Sequence, residues 1–451
     1  MSIMNIANKK EPLILLLGDI ALLYASLFLM LVLRYGSAPG QDLWAVHFSA
    51  FSIIFVIWIV VFFIAGLYEK HTLLLKHRLP TLILNAQAIN SVLAIAFFYF
   101  IPYFAIAPKT NLFIQLIISF IAISLWRIYG TQFVDAKKKQ KAILIGSGEE
   151  MHNLYKEINN NPRYSLEFVS SVDLDKLEGI DFEEEIISKV YSEEITTVVM
   201  DLKHENIGPI LPKLYNLIFS GVHFLDKYKV YEDVFDRIPL SLIGYNWFLE
   251  NISSSSHVAY DSMKRLMDIL ISSILMIFSI LVCPFVYIAI KLDDKGPIFF
   301  VAERIGKNNT PIKLLKFRTM SVGSKGGGIE DSPQVTRVGA FLRKARIDEI
   351  PQLWNVWKGD ISLVGPRPET PALVKVYEEE VPYYAVRHLI KPGLSGWAQM
   401  YHEAHPHHGA DVDETKNKLS YDLFYIKNRS IVLDLKIALK TVKTLLSRSG
   451  V

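Results

Sequence analysis

The chain has very little cysteine, since its 451 residues include only Cys283. A single thiol excludes an internal disulfide framework and any cysteine-based zinc cluster. The formal net charge of +3 is small, so total charge gives no support for a nucleic-acid partner. No small-residue cleavage site follows the first apolar run, which is therefore expected to be a retained helix. Because 51% of the residues are hydrophobic, we expect a membrane part joined to soluble parts.

Long apolar runs, by contrast, open the chain. Each is long enough, or nearly so, for a membrane helix of about 20 residues. They cover Pro12–Leu33, Phe48–Leu67, Ile83–Phe100 and Leu112–Trp126. Basic residues cluster at the N-terminus, in the second connection and after the fourth run, which predicts that both ends of this four-helix unit face the cytoplasm. Asp19, inside the first run, is expected to make a helix-packing contact, with a functional role as the alternative.

The segment 141–260 has the pattern of a soluble α/β domain. A buried strand leads into a turn at Gly146-Ser147-Gly148, and "TTVVMD" predicts a second strand ending near Asp201. Gly-Xaa-Gly after a strand is typical of nucleotide-binding turns. Met151 stands where the third glycine of the dinucleotide motif would be, so we expect a Rossmann-like domain that packs or regulates. Working dinucleotide binding is the weaker alternative.

A fifth apolar run, Ile269–Leu292, has basic residues on both flanks. Its length favours a membrane span, but the flanks indicate that both of its ends lie on the cytoplasmic side. Pro284 removes a backbone hydrogen bond and kinks a helix. We therefore predict a re-entrant helix that bends at Pro284 and returns to the same face. A true fifth span with a proline kink is the alternative.

An adjacent acidic pair stands in "RIDEIPQLWNVWKGDISLVGPRP", which begins at Arg346. Asp348 is a good helix N-cap, and Pro351 is tolerated in a first turn. The pair is therefore expected at a helix N-terminus, where a simple capping role is one interpretation. Two carboxylates also suit chemistry at phosphorus, because one can attack while the other holds a metal or manages a proton.

Basic residues in the same region favour the chemical interpretation. Arg367 lies between two prolines, which preorganise its guanidinium for bidentate phosphate binding. Arg343, Lys316 and Arg318 supply further positive charge. Carboxylates among arginines and lysines predict a phosphate substrate with a divalent ion, and Mg²⁺ prefers carboxylate and phosphate oxygens.

These motifs resemble one known family. "KRLMDI", the run containing Pro284, "KFRTM", the Asp348 segment and "KPGLSGWAQ" occur in the order found in the bacterial sugar transferases. These are monotopic phosphoglycosyl transferases, also called polyprenyl-phosphate hexose-1-phosphate transferases. The resemblance covers about 264–451. The N-terminal four helices and the degenerate Rossmann-like domain resemble the large members of the family.

The resemblance implies a reaction in which a UDP-sugar gives its sugar-1-phosphate to a membrane polyprenyl phosphate, such as undecaprenyl phosphate, and UMP leaves. It implies that Asp348 is the nucleophile, that Glu349 shares metal binding or deprotonation, and that Mg²⁺ is the cofactor. Pro284 matches the kink of the re-entrant helix. The remaining positions that it assigns are phosphate-binding Arg318, Arg343 and Arg367, and nucleotide-binding Gly396, Trp397 and Gln399. Lys316 is expected to bind phosphate beside them because of its charge.

The expected fold is an α/β membrane protein with three domains. Residues 1–135 form a four-helix transmembrane bundle, 136–260 a Rossmann-like cytoplasmic domain, and 261–451 a mainly α catalytic domain with its re-entrant helix at 264–292. The resemblance places the chain in the bacterial inner membrane, with a homodimer expected. Capsule, exopolysaccharide and O-antigen lipopolysaccharide synthesis are natural uses of the product. UDP-glucose or UDP-galactose is the favoured donor.

Two features depart from the family pattern, and two other functions stay open. Ala302 stands where glutamine is common, and His402–His408 is rich in histidine, for which a solvated loop is favoured over a zinc site. One alternative function is a catalytically inactive membrane scaffold or regulator of polysaccharide assembly. The other is a nucleotide-sugar oxidoreductase or epimerase, which the missing third glycine disfavours.

Overall fold

The chain divides into two compact units, Met1–Phe235 and Asp236–Val451. The structure is a computed structural model that describes residues 11–68, 79–101, 108–130, 139–161, 164–176, 183–252, 258–321, 334–401 and 411–447. The His402–His408 cluster lies outside these residues, as do most of the basic residues used to orient the first four helices. The predicted three-domain division stays a prediction.

Four long helices begin the first unit. They are α1 (Glu11–Tyr35), α2 (Gln41–Ala65), α3 (Leu79–Phe100) and α4 (Pro108–Leu125). They share one apolar core, in which Leu23, Phe51 and Ile83 are fully buried. Their outward faces are apolar as well, as Val56 and Val92 show. A helix that is apolar all round is typical of a membrane environment, and these four helices are long and apolar enough to cross one.

Asp19 makes the interhelical contact expected of it. Its carboxylate pairs with the Arg127 guanidinium, just beyond α4, and accepts a hydrogen bond of 2.7 Å from the Tyr68 hydroxyl. Arg127 also donates to the Leu67 carbonyl at 2.5 Å. Both charged groups are buried, and each is compensated by the other, as a charge in an apolar bundle requires.

A parallel sheet follows in the first unit. Its strands, in the spatial order β2-β1-β3-β4, are β1 (Gln140–Gly146), β2 (Leu166–Asp173), β3 (Thr197–Met200) and β4 (His223–Asp226). Helix α5 (Gly148–Asn160) begins directly after β1, and Gly148 has the positive φ of +82° that glycine tolerates. Smaller helices in this unit are α6 (Lys189–Ser192), α7 (Leu211–Tyr215) and α8 (Lys227–Phe235).

A buried lysine, Lys227, lies at the carboxyl ends of the strands of this sheet. In open parallel sheets, ligands bind outside the carboxyl ends of neighbouring strands. Here the buried Lys227 ammonium lies 3.0 Å from the Asp201 carboxylate and 3.3 Å from the Ser147 carbonyl. This contact favours the packing role over dinucleotide binding. The Rossmann-like assignment, beyond the parallel sheet itself, stays a prediction.

The second unit contains the longest helix. After α9 (Tyr245–Asn251), α10 runs from Val258 to Asp293 as one helix with Pro284 inside it. It is the fifth helix in the described residues that is long and apolar enough to cross a membrane. Both of its ends are bonded to the rest of the unit: Arg265 donates to the Val356 carbonyl at 2.7 Å, and Asp293 accepts from the Val338 amide at 2.9 Å.

The remaining elements form a compact, mainly helical body. The strands are an antiparallel hairpin, β5 (Phe299–Ile305) with β6 (Pro311–Phe317), and a parallel pair, β7 (Ser362–Val364) with β8 (Gly393–Ser395). The helices are α11 (Arg337–Lys344), α12 (Gln352–Lys358), α13 (Pro371–Glu380), α14 (Trp397–Tyr401), α15 (Val412–Asn428) and α16 (Ile431–Ser447). This body carries the site.

Candidate active site

A cavity of about 1140 Å³ lies between the hairpin, α11, α12 and the two short strands. Asp348 and Glu349 line it, as do all four basic residues singled out in the sequence, Lys316, Arg318, Arg343 and Arg367. Gly396 and Gln399 also reach it. Residues scattered over eighty positions of sequence therefore meet around one space that is large enough for a small-molecule substrate.

The acidic pair sits in a short 3-10 turn, Ile347–Glu349, between α11 and α12. The expected helix cap at Asp348 is wrong, because the pair precedes α12 in a turn of its own. Arg346 precedes the turn with a left-handed backbone, φ 55°, and Pro351 occupies the position before α12. A non-glycine residue at positive φ carries backbone strain, which concentrates at functional sites. The turn aims both carboxylates into the cavity instead of at helix amides.

Asn355 fixes α12 against the hairpin. Its side-chain oxygen accepts from the Leu315 amide at 3.0 Å, and its nitrogen donates to the Lys313 carbonyl at 2.8 Å. These two bonds replace the ladder bonds that an edge strand leaves open. Because Lys316 follows on the same strand, they also set the position of its ammonium beside Glu349. The two groups lie 3.0 Å apart.

Glu349 is held by three cations. Lys316 and Arg367 lie 3.0 and 3.3 Å from Oε1, and Arg346 lies 3.8 Å from Oε2. Burial raises the pKa of Glu349, but Arg367, Lys316 and Arg346 outweigh it and lower that pKa to about 2. Glu349 is therefore ionised throughout the physiological range and in turn raises the pKa of Arg367.

Asp348 has the opposite electrostatic setting. It is buried, and its Oδ1 has no hydrogen-bond partner within the described residues. Burial raises the pKa of Asp348, and Glu349 raises it further, against smaller lowering by Lys316, Arg346 and Arg343. Two neighbouring carboxylates with pKa values pushed apart are typical of paired catalytic roles. An unpartnered buried oxygen also needs an explanation, and a reactive role supplies one.

The other two arginines predicted to bind phosphate, Arg318 and Arg343, are held by contacts near the C-terminal end of β6. Arg343 Nε donates to the Thr319 hydroxyl at 2.9 Å. Arg318 NH2 donates to the Asp294 carbonyl at 2.9 Å, which ties the cavity to the end of α10, and its NH1 is buried without a partner in the described structure. The close approach of α11 to Thr319 requires glycine at position 339, since a Cβ there would lie 2.0 Å from the Thr319 carbonyl oxygen.

The predicted nucleotide segment is only partly at the cavity. Gly396 and Gln399 line it, and a Cβ on Gly396 would lie 2.6 Å from the Gly365 carbonyl oxygen. Trp397 lies in the core instead. Its ring stacks on Phe424, and its indole nitrogen donates to the Asp236 carbonyl at 2.9 Å. Gly365 precedes Pro366, so the packing of this glycine pair sets the turn that carries Arg367.

Sequence reasoning missed Arg346 and the buried pair Arg387–Asp422. Arg387 lies 2.8 Å from the Asp422 carboxylate, donates to the Tyr384 hydroxyl at 2.6 Å and donates to the Arg367 carbonyl at 3.0 Å. It lines the cavity. Arg346 could have been found as the residue two before Asp348, but nothing in the sequence couples positions 387 and 422.

Magnesium would fit the acidic pair in chemical type. Among the residues described, no group of three or more histidine, cysteine, aspartate or glutamate side chains is arranged to hold a metal. Carboxylates are nevertheless the kind of oxygen donor that Mg²⁺ accepts, and Mg²⁺ commonly takes one or two of them with substrate phosphates completing its shell. Asp348 and Glu349 would hold it.

Comparison with known proteins identifies a family for the part of the chain that contains the cavity. A sequence model of the family described as bacterial sugar transferase matches residues 259–448. A Caulobacter vibrioides UDP-glucose:undecaprenyl-phosphate glucose-1-phosphate transferase is 38% identical over 195 residues, which cover 42% of this chain and 72% of that protein. The chain belongs to the bacterial sugar transferase family. The family resemblance drawn from the motifs is thereby confirmed.

Two further relatives match a similar length of the chain. A UDP-N-acetylgalactosamine-undecaprenyl-phosphate N-acetylgalactosaminephosphotransferase of Aeromonas hydrophila is 43% identical over 196 residues, 42% of this chain and 45% of that protein. EpsL, an uncharacterised sugar transferase of Bacillus subtilis, is 38% identical over 191 residues, 42% of this chain and 90% of that protein. The chain thus matches less than half of the Aeromonas protein's length.

The pH dependence of Asp348 gives a test of the pair in this bacterial sugar transferase. Replacing Glu349 with glutamine removes the charge that raises the pKa of Asp348 and releases Lys316. Both changes lower that pKa, so the acid limb of the pH profile of kcat/KM should move to lower pH. The rate itself should fall by roughly 10²–10⁴-fold, as for a lost proton-handling group. Glu303→Gln, exposed on β5, is the matched control and should leave the limb unmoved. A limb that stays in place in Glu349→Gln would contradict the coupling.

Proposed function

We propose that the chain transfers a sugar-1-phosphate from a UDP-sugar to undecaprenyl phosphate and releases UMP, through a covalent aspartyl-phosphosugar intermediate. The printed activities of the Aeromonas and Caulobacter relatives support the general reaction. One observation carries the mechanism. The unpartnered Oδ1 of Asp348 belongs to a cavity that is also lined by one lysine and three arginines, Lys316, Arg318, Arg343 and Arg367.

In the first step, Asp348 Oδ1 attacks the sugar-bearing β-phosphorus. A P–O bond forms to aspartate, the bond to the α-phosphate oxygen breaks, and UMP leaves with that electron pair. In the second step, a phosphate oxygen of the lipid attacks the same phosphorus and the Asp348 carboxylate leaves. Covalent catalysis divides one difficult displacement into two easier ones.

Charge on the transferring group is neutralised by the surrounding cations. Arg343 and Arg367 are the phosphate clamps, with Lys316 and Arg318 beside them, because fixed cations in a sheltered cavity act on developing charge without reorganising. Glu349, ionised by its three partners, orients Lys316 and Arg367 and assists Asp348 in holding Mg²⁺. When bound, Mg²⁺ supplies further neutralisation of the diphosphate.

The donor sugar is tested directly by a screen. UDP-glucose and UDP-galactose are our first candidates, and UDP-N-acetylgalactosamine must be included because the Aeromonas relative is named for that sugar. Purified protein with undecaprenyl phosphate and Mg²⁺ should release many equivalents of UMP with at least one donor. Without undecaprenyl phosphate, the release should stop at about one UMP per active site. Absence of UMP with every UDP-sugar would favour the alternative, a catalytically inactive scaffold of polysaccharide assembly.

We also propose the membrane arrangement. The first four helices form a transmembrane bundle in the inner membrane, and α10 is a re-entrant helix bent at Pro284, with the catalytic body in the cytoplasm. Attachment of both ends of α10 to one compact unit supports the re-entrant arrangement. Its middle supports membrane insertion, because Ile277, Phe278 and Leu281 are more than 60% exposed. The product would enter exopolysaccharide, capsule or O-antigen synthesis, and a homodimer remains our expectation.

Cysteine labelling tests whether both ends of α10 lie on the same side of the membrane. In a Cys283→Ala background, single cysteines at the exposed positions Ser262 and Lys295 flank the membrane segment of α10. Both Ser262→Cys and Lys295→Cys should react with an impermeant maleimide only after the inner membrane is opened, because both ends lie in the cytoplasm. Labelling of either one in intact spheroplasts would restore an ordinary fifth span.

A further inference from the structure

Arg304 is a basic residue of the active-site cavity to which the proposed mechanism gives no role. Side chains alternate between the two faces of a strand, and the β5 residues that line the cavity are Phe300, Ala302 and Arg304. The face of the hairpin that carries Arg304 and, from β6, Lys316 therefore forms one wall of the cavity. Arg304 is half-buried in this wall.

Arg304 differs from the other shielded cations of the cavity in its lack of a carboxylate partner. Among the residues that the structure describes, it makes one hydrogen bond, from NH1 to the Glu303 carbonyl at 3.0 Å, and no ion pair. Every other basic side chain that lines the cavity and is buried or half-buried has an ion pair in the same part of the chain. These pairs join Lys316, Arg346 and Arg367 to Glu349, Arg318 to Asp294, Arg387 to Asp422 and Lys418 to Glu414. A shielded cation without a counter-charge is costly, so Arg304 is suited to an anion that a ligand supplies.

Backbone contacts place Arg304 beside the turn that carries Arg367. The amide of Ile305, the next residue of β5, donates to the Glu369 carbonyl at 3.0 Å, and Glu369 follows Arg367 by two positions. Burial lowers the pKa of Arg304, Glu369 raises it, and Arg367 lowers it further. The two guanidinium groups are thus close enough to repel each other, and phosphate oxygens between them would remove that repulsion.

The two-step reaction needs a second phosphate position next to the transferring phosphorus. In phosphoryl transfer the attacking and leaving oxygens lie roughly in line. When Asp348 attacks, the UMP phosphate therefore leaves on the far side of the phosphorus. In the second step Asp348 is the leaving group, so the lipid phosphate must attack from that same far side. UMP and the lipid are both phosphate monoesters, and one cation can therefore serve both in turn.

We propose that Arg304 binds this second phosphate position, where it holds the α-phosphate as UMP leaves and then the phosphate of the acceptor lipid. This inference rests on the proposed function, since it takes the double displacement at Asp348 as given. Arg343 and Arg367 hold the transferring β-phosphate, while Arg304 neutralises the charge that develops on the departing oxygen. UMP and the acceptor phosphate therefore exclude each other from the cavity.

Binding of UMP to the purified protein tests the assignment. Arg304→Met keeps an apolar stem and removes the guanidinium, so it should weaken UMP binding about tenfold, the effect of one lost charge-assisted hydrogen bond. Uridine, which has no phosphate, should bind the variant and the wild type equally. Lys313→Met is the matched control, because Lys313 is an exposed cation of β6 that does not line the cavity. Equal UMP affinities in Arg304→Met and the wild type would overturn the proposal, as would an equal loss for UMP and uridine.

Competition between the two phosphates tests the shared position in the unaltered protein, where no folding defect can interfere. Farnesyl phosphate, a short isoprenoid phosphate monoester, should displace UMP completely, whereas farnesol should leave UMP bound. Simultaneous binding of UMP and farnesyl phosphate would contradict the shared position.

Turnover supplies the third measurement. Arg304→Met should lower kcat/KM for undecaprenyl phosphate by about the same factor as it weakens UMP binding. A loss confined to UMP, or confined to undecaprenyl phosphate, would overturn the proposal. Absence of UMP release by the wild type with every UDP-sugar would instead overturn the proposed function.

Discussion

Asp348→Asn is expected to release UMP on the order of 10⁴-fold more slowly than the wild type, because an amide cannot form the covalent phosphosugar and loss of a nucleophile removes most of the rate. The measurement is steady-state UMP release with saturating donor and acceptor. Asp413→Asn, on an exposed side chain of α15, is the matched control and should retain the wild-type rate.

The same variant separates chemistry from folding. Burial raises the pKa of Asp348, which means that the folded protein bears a cost for the ionised carboxylate. Asparagine keeps the shape and removes that charge, so the thermal midpoint in detergent should be unchanged or higher. Robust UMP release by Asp348→Asn would refute the nucleophile assignment. A large fall in the thermal midpoint would indicate a structural role instead.

Arg387→Leu is expected to have the largest effect on stability. It leaves Asp422 buried beside Tyr384 without its 2.8 Å partner. Breaking one side of a buried ion pair costs about 3–5 kcal/mol, which corresponds to a fall of roughly 10 °C in the thermal midpoint of a unit of this size. The measurement is thermal unfolding of the detergent-solubilised protein at fixed lipid content.

A double variant distinguishes the stabilising role of Arg387 from its positioning role. Arg387→Leu/Asp422→Leu removes both charges, so more than half of the lost thermal stability should return. UMP release should stay low, because the Arg367 carbonyl has still lost the 3.0 Å donor that fixes its turn. Recovery of the wild-type rate in the double variant would contradict the positioning role. An unaltered thermal midpoint in the single variant would contradict the stabilising one.

The local features of the site were predictable because short segments determine them. The turn around Arg367 follows from the prolines on either side of it. The four apolar runs gave their helices for the same reason. The acidic pair was found from adjacency alone, although its environment was not.

The errors arise where distant segments decide the geometry. Asp348 was predicted to cap a helix because aspartate is a good N-cap and Pro351 is tolerated in a first turn, yet Arg346 has a left-handed backbone and a 3-10 turn follows it. Trp397 stays a predicted nucleotide-binding residue, but the sequence did not indicate its packing partners Phe424 and Asp236, which lie elsewhere in the chain. The Arg387–Asp422 pair joins two elements across the body, and residue patterns carry no information about such a contact.

The most direct test of the account is to trap the half-reaction. The purified protein, incubated with its UDP-sugar and Mg²⁺ but no acceptor, should release about one UMP per active site and gain the mass of one sugar phosphate on the peptide containing Asp348. Addition of undecaprenyl phosphate should remove that mass. Transfer of sugar phosphate to the lipid at full rate, with Asp348 never modified and no UMP released before the lipid is added, would contradict the account.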